Sequence, residues 1–137
     1  MDVAIVGVGL HPFGRFGDRT GIDMGAIAIR RALADAGVEW RDIQFAFAGS
    51  YEIDNPDAVV ALMGLTGIPF TDVYNGCATA ASALTLAANT IRLGDHDLGI
   101  AVGMDMELVL VPFRIDADGN EVVSFAFRPV AGASAGA

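Results

Sequence analysis

The chain has 137 residues, enough for one domain with a real core and too few for two. It is 53% hydrophobic with a mean hydropathy of +0.50, yet no run approaches the roughly 18–20 consecutive apolar residues of a membrane span, so no such span is expected. Net charge is −9 and all eight basic residues are Arg, with no basic stripe on which nucleic acid could bind.

The β-branched run Val3 to Val8 opens the chain and reads as a buried strand of a sheet covered on both faces. Gly7-x-Gly9 follows a strand, as in a dinucleotide fingerprint. The third glycine would fall at position 12, which is Pro12, and no helix opens there, so the nucleotide reading is disfavoured. His11 has no acidic or cysteine partner at metal-ligand spacing and reads as a loop residue. After a polar, Gly-rich loop, Ile22, Ala26, Ile29, Leu33 and Ala36 recur at helical spacing and predict a helix from Gly21 to Ala36. Arg30 and Arg31 fall in its second half, where positive charge suits the helix dipole, and Gly37 ends it. Ile43 to Ala48 is a second strand. Asn55-Pro56 starts a helix expected to run to about Leu65. Phe70 to Tyr74 is a short third strand, and Asn75-Gly76 turns the chain into Cys77.

Ala78 to about Arg92 is helical, with Ala80, Leu84, Ala87 and Ile91 on one stripe. So many alanines imply close packing all round, in an interior or at a subunit contact. Gly94 ends this helix. Asp95-His96-Asp97 reads as a solvated turn, and Leu98 to Val102 as another buried strand. The first hundred residues thus alternate strand and helix. That pattern predicts an α/β fold with a mostly parallel sheet and helices on both faces, whose chemistry lies beyond the carboxyl ends of the strands.

Cys77 is the chain's single cysteine, which excludes an internal disulfide and fits a reducing compartment. The amino terminus lacks a basic segment followed by a long apolar one, so no secretory signal is expected and the location expected is cytoplasmic. A lone cysteine is commonly a small buried hydrophobe. At the start of a helix, beyond a strand end, it sits instead where unpaired N–H groups and the helix dipole favour thiolate and developing negative charge. That position tips the reading of Cys77 towards a nucleophile.

After Gly103 the pattern changes. Met106 to Ile115 and Glu121 to Arg128 read as strands joined by a turn at Asp116 to Asn120, a β-hairpin without a crossover helix. Asp116, Asp118 and Asn120 match the opening of a calcium loop, but Phe127 stands where its last ligand should be, which disfavours calcium. Residues 131–137 (AGASAGA) read as a low-complexity, disordered tail.

Three segments carry a family resemblance: VAIVGVGLHPFGRF, ALADAGVEWRDIQFAFAG and NGCATAASALTLAANTIRLGDHDLGIAVGMD, in that order. Over about residues 2–105 the chain resembles the N-terminal half of thiolase-superfamily enzymes, in the branch of sterol-carrier-type thiolases and lipid-transfer-protein aldolases. The resemblance implies a partial thiolase-like layered β-α-β half-domain over residues 1–104. It also implies that Cys77 is the nucleophile that attacks an acyl-CoA thioester, with the thioester as substrate and no other cofactor or metal. In that family the activating histidine, a second cysteine and oxyanion-hole groups come from a second half. No histidine follows His96 here, and there is no second cysteine.

The segment GMDMELVLVPFRIDADGNEVVSFAFRPV, with its hairpin placed at 105–130, resembles the C-terminal strands of zinc-ribbon/OB-fold acyl-CoA-associated proteins. The two resemblances together imply a junction near Val102-Gly103-Met104. Two functions follow. One is a thiolase-type acyltransferase or carbon–carbon lyase, truncated and weakly active or inactive alone. The other is a non-catalytic fusion remnant or interaction module. It would self-associate, or bind thiolase-like or zinc-ribbon/OB-fold subunits, through apolar surface left exposed.

Overall fold

The structure is a computed structural model that describes residues 3–14, 16–50, 53–104 and 130–131. The elements are β1 (Gly7–Val8), α1 (Gly21–Ala36), β2 (Phe45–Gly49), α2 (Val60–Met63), β3 (Phe70–Val73), α3 (Thr79–Leu93), β4 (Gly99–Gly103) and β5 (Val130–Ala131). They build one mixed sheet of order β1-β5-β4-β2-β3. β2 pairs in parallel with β3 and β4, and β5 runs antiparallel to both β1 and β4.

The two-residue alternation of strand side chains divides the core between the sheet's faces. Ala46, Ala48, Ile100 and Val102 join Ala26, Ile29, Ala32 and Leu33 of α1 in one cluster, which Trp40, Ile43, Val59 and Met104 extend. Phe45 and Ala101 project to the other face and cluster with Ala83 and Ala87 of α3. The expected α/β architecture, a parallel centre with helices on both faces, is the one observed.

Helix α1 begins and ends where its residues predict. Thr20 and Asp23 cap it reciprocally: the Asp23 N–H donates to Thr20 Oγ1 (3.1 Å) and the Thr20 N–H to Asp23 Oδ2 (2.9 Å). The bonds that the Thr20 N–H and then the Thr20 hydroxyl (2.7 Å) donate to Asp23 Oδ2 hold that carboxyl below its ordinary range. Gly37 closes the helix in the left-handed conformation. The two arginines do not serve the helix end as expected. Arg30 donates to the Leu62 carbonyl (2.6 Å) and Arg31 to the Leu10 carbonyl (2.5 Å), tying α2 and the segment after β1 to α1.

Three expectations are corrected. The opening strand is shorter than Val3 to Val8: among the described residues only Gly7 and Val8 pair, with Ala131 and Val130 of β5. Asn55-Pro56 opens a 3-10 turn over Pro56–Val59, which gives way to the single α-turn of α2 before Gly64. Ala131, placed at the head of a disordered tail, pairs with Gly7 instead. The sheet needs that return strand because β1 touches no other strand among the described residues. The hairpin and the calcium-like turn at 116–120 lie outside the described residues, as does the rest of the tail.

The glycines at 7 and 9 have a packing role. A Cβ at Gly7 would run into the Ala32 carbonyl, and one at Gly9 into the Ala28 carbonyl and Ala32 nitrogen. Their absence lets the chain lie directly on the backbone of α1. No helix follows Gly9 until Gly21.

Candidate active site

The carboxyl ends of the parallel strands lie in register: Gly49 of β2 is opposite Val73 of β3 on one side and Gly103 of β4 on the other. The chain leaves β3 through Tyr74 and Asn75. It turns at Gly76, whose left-handed φ of 51° suits glycine, and enters a 3-10 turn over Gly76–Ala78 that runs into α3. Cys77 lies in the middle of this turn and is exposed. It therefore stands beyond the strand ends and at the approach to a 15-residue helix, the position expected for it.

Hydrogen bonds knit the turn. The Asn75 N–H donates to Thr79 Oγ1 (2.8 Å), and the Thr79 hydroxyl donates to the Gly76 carbonyl (2.6 Å). The Ala78 N–H donates to the Asn75 carbonyl (3.0 Å). The Asn75 amide donates to Ser82 Oγ (2.9 Å), one turn into α3. Thr79 is buried, with 1% of its surface exposed. Of these residues the sequence points to Cys77 alone. The Thr/Ser spacing of Thr79 and Ser82 after Asn75 was the available signal for the rest.

Neither described histidine reaches the thiol. His96 precedes β4, its ring 5.3 Å from that of Phe45, the first residue of β2. The four residue steps from Phe45 to Gly49 separate it from the Cys77 end of the sheet by about 13 Å. His11 follows β1, the edge strand opposite β3. Strand β1 itself stands four strand spacings, about 19 Å, from β3, and in the loop that follows it His11 is engaged by its neighbours. There Nε2 pairs with Arg19 (2.9 Å) and Nδ1 with the Pro12 carbonyl (2.8 Å).

Helix α3 is not enclosed all round in this chain. Thr79, Ala83, Ala87 and Ala88 are buried against the sheet, whereas Ala81, Thr85, Leu86 and Asn89 are exposed.

Beside the end of β3 lies a cavity of about 180 Å³ lined by Ser50, Ile53, Asp54, Asp72 and Tyr74, among others. Cys77 is not in its wall. The Asp57 N–H donates to Asp72 Oδ1 (3.0 Å). Partial burial, and then the Asp57 carboxylate beside it, push Asp72 up to about 6 from its ordinary 3.8. A carboxyl raised in the folded state holds its proton more tightly than in the unfolded chain. Its contribution to stability is therefore present below about pH 4 and is lost as pH rises through 6. Asp72→Asn should remove this decline and stabilise the fold at pH 7.5, by less than about 1 kcal/mol because solvent screens the exposed pair. Urea unfolding of both proteins at pH 4.5 and 7.5 tests it; equal pH slopes would refute the assignment.

Comparison with known proteins agrees with this architecture. The profile of the family described as "Thiolase, N-terminal domain" matches residues 3–111. Sterol carrier protein 2 of Bos taurus is 34% identical over 119 residues, covering 83% of this chain and 22% of that protein. Acetyl-CoA acetyltransferase of Methanothermobacter thermautotrophicus is 33% identical over 111 residues, covering 76% of this chain and 29% of that one. The chain thus spans less than a third of either relative. The crystal structure of 3-oxoacyl-[acyl-carrier-protein] synthase III from Aquifex aeolicus superposes with a TM-score of 0.79 at 14% identity, over 97% of this chain and 54% of that one. At that identity the likeness shows the fold. The family match also runs past Val102-Gly103-Met104, where the two sequence resemblances would join. By its strand order, its helix-bearing cysteine turn and this match over most of its length, the chain belongs to the family of thiolase N-terminal domains.

Proposed function

We propose that the chain carries the nucleophile of a thiolase-like acyltransferase of the acetyl-CoA acetyltransferase or lipid-transfer type, acting in the cytoplasm on acyl-CoA thioesters. Cys77 sulfur, as thiolate, attacks the thioester carbonyl. A new carbon–sulfur bond forms, the bond to CoA sulfur breaks, and CoA leaves as a thiolate that takes a proton from solvent. The acyl group remains on Cys77. The observation that supports this reading best is the exposure of Cys77 at the strand ends, at the approach to α3, inside the matched family region. Among the described residues no histidine lies near enough to act as base, so the reading assigns this chain acylation of Cys77 and slow release rather than full turnover. The acidic cavity beside β3 would repel the phosphates of CoA and is assigned no part in holding them.

The second reading is a non-catalytic remnant or interaction module. It is favoured by Tyr74, exposed at 71%, and by Leu86 and Leu93 exposed on α3. Its partner would be a second copy, a thiolase-like subunit or a zinc-ribbon/OB-fold subunit, the last in keeping with the resemblance of the C-terminal hairpin.

One preparation tests both readings. Alkylation of Cys77 at neutral pH should outpace that of a free cysteine, and incubation with acetyl-CoA should leave an acetyl adduct on Cys77 by mass spectrometry. Labelling at the free-thiol rate without an adduct removes the first reading. Sedimentation of the same sample as a monomer at high concentration argues against the second.

A further inference from the structure

The thiol of Cys77 is exposed, and its turn pivots on a left-handed glycine, so what fixes the sulfur must come from its neighbours. One side chain bonds both sides of that pivot. Thr79 Oγ1 accepts from the Asn75 N–H (2.8 Å) and donates to the Gly76 carbonyl (2.6 Å), and the Thr79 N–H reaches the same carbonyl. Thr79 is itself immobilised. It is 1% exposed, and its methyl lies over Gly49, where a Cβ would overlap it. Gly49 is paired in turn with Val73 and Gly103 of the neighbouring strands, and its carbonyl accepts from the Met104 N–H (2.9 Å).

We propose that Thr79 is the positioning residue of the Cys77 site: its hydroxyl clasps the Asn75–Gly76 pivot while its methyl registers that clasp on the carboxyl end of β2. This rests on Cys77 being the nucleophile, and it adds where the precision of that nucleophile originates. The thiol's place is set from the sheet through a neighbour two residues on. A nucleophile held this way presents its sulfur in one orientation, whereas a loose pivot spreads it over many, only some productive.

The single cysteine makes two site-specific measurements possible on the whole chain. One is the alkylation rate of Cys77; the other is the mobility of a nitroxide attached to it, read from its spin-resonance line shape. Thr79→Val keeps the shape and removes the hydroxyl. It should slow alkylation roughly fivefold, the scale of one ordinary hydrogen bond, and sharpen the nitroxide spectrum. Thr79→Ser keeps the hydroxyl's two bonds and loses only the methyl over Gly49, so both readouts should fall between those of the parent and of Thr79→Val. Where Thr79→Val does not fold, Thr79→Ala removes the hydroxyl without placing a methyl against the polar pivot, and the same loosening is expected. Parent-like rate and mobility in the hydroxyl-free variants would overturn the proposal, as would equal loosening in Thr79→Ser. If the parent itself alkylates like a free cysteine, the nucleophile reading fails. The nitroxide comparison still decides whether Thr79 holds the turn.

Discussion

Gly49→Ala should be among the most damaging single substitutions in this chain. Gly49 ends β2 between β3 and β4, directly beneath the cysteine turn. A Cβ there would stand 2.5 Å from the Val73 carbonyl oxygen and would overlap the Thr79 methyl. The first obstacle is backbone held in the β2–β3 ladder, so it cannot swing aside as a side-chain tip could. Overpacking of a core costs about 1–3 kcal/mol, and the fixed obstacle places this case at the upper end of that range. Chemical denaturation measures the loss. Gly37→Ala is a useful control, because Gly37 has open space around its Cβ position and a φ of 69°. Its cost comes only from left-handed backbone, about 1–2 kcal/mol. Should Gly49→Ala prove no worse than that control, the close approach of the three strand ends and the cysteine turn would be wrong.

Ile100→Ala should be comparably severe for the opposite reason, a void. Ile100 is fully buried on β4, which β2 and β5 flank, and it clusters with Ile29 and Leu33 of α1. Much of its surroundings is alanine: Ala26, Ala32, Ala46 and Ala48 share the cluster. Such short side chains cannot turn to fill a gap, so the cavity should persist, and the cost should reach the upper half of the usual range of about 2–5 kcal/mol. Ile100→Val removes one methylene and should cost about 0.5–1.5 kcal/mol. Equal losses for the two variants, measured by urea unfolding with unchanged m-value, would contradict the rigid alanine packing between α1 and the sheet.

Legibility in the sequence followed how local the determining physics was. Helix α1 was readable to its bounds, because the spacing of Ile22, Ala26, Ile29 and Leu33 and the stop at Gly37 lie within the segment. The turn at Asn75-Gly76 was readable too, since left-handed backbone favours glycine. The opening run promises a longer strand than the sheet contains. Six apolar residues are compatible with a long strand, but pairing is a property of two strands, and among the described residues only Gly7 and Val8 find partners in β5. The return of Val130–Ala131 to the sheet left no mark in an Ala- and Gly-rich end. The alanines of α3 foretold a closely packed helix without saying on how many sides, and in this chain its packing is one-sided.

By itself the sequence determined the α/β class, the order of strands and helices along the chain, the place of Cys77 at a helix approach, and the family. These depend on residue periodicity, on turn chemistry and on a string of motifs, all of which are one-dimensional. Tertiary structure alone decided the strand order β1-β5-β4-β2-β3, the distance of His96 and His11 from the thiol, and the grip of Thr79 on the Gly76 pivot over Gly49. These depend on which distant segments meet, and that is settled by joint burial and close packing across the sheet rather than by any one segment's residues.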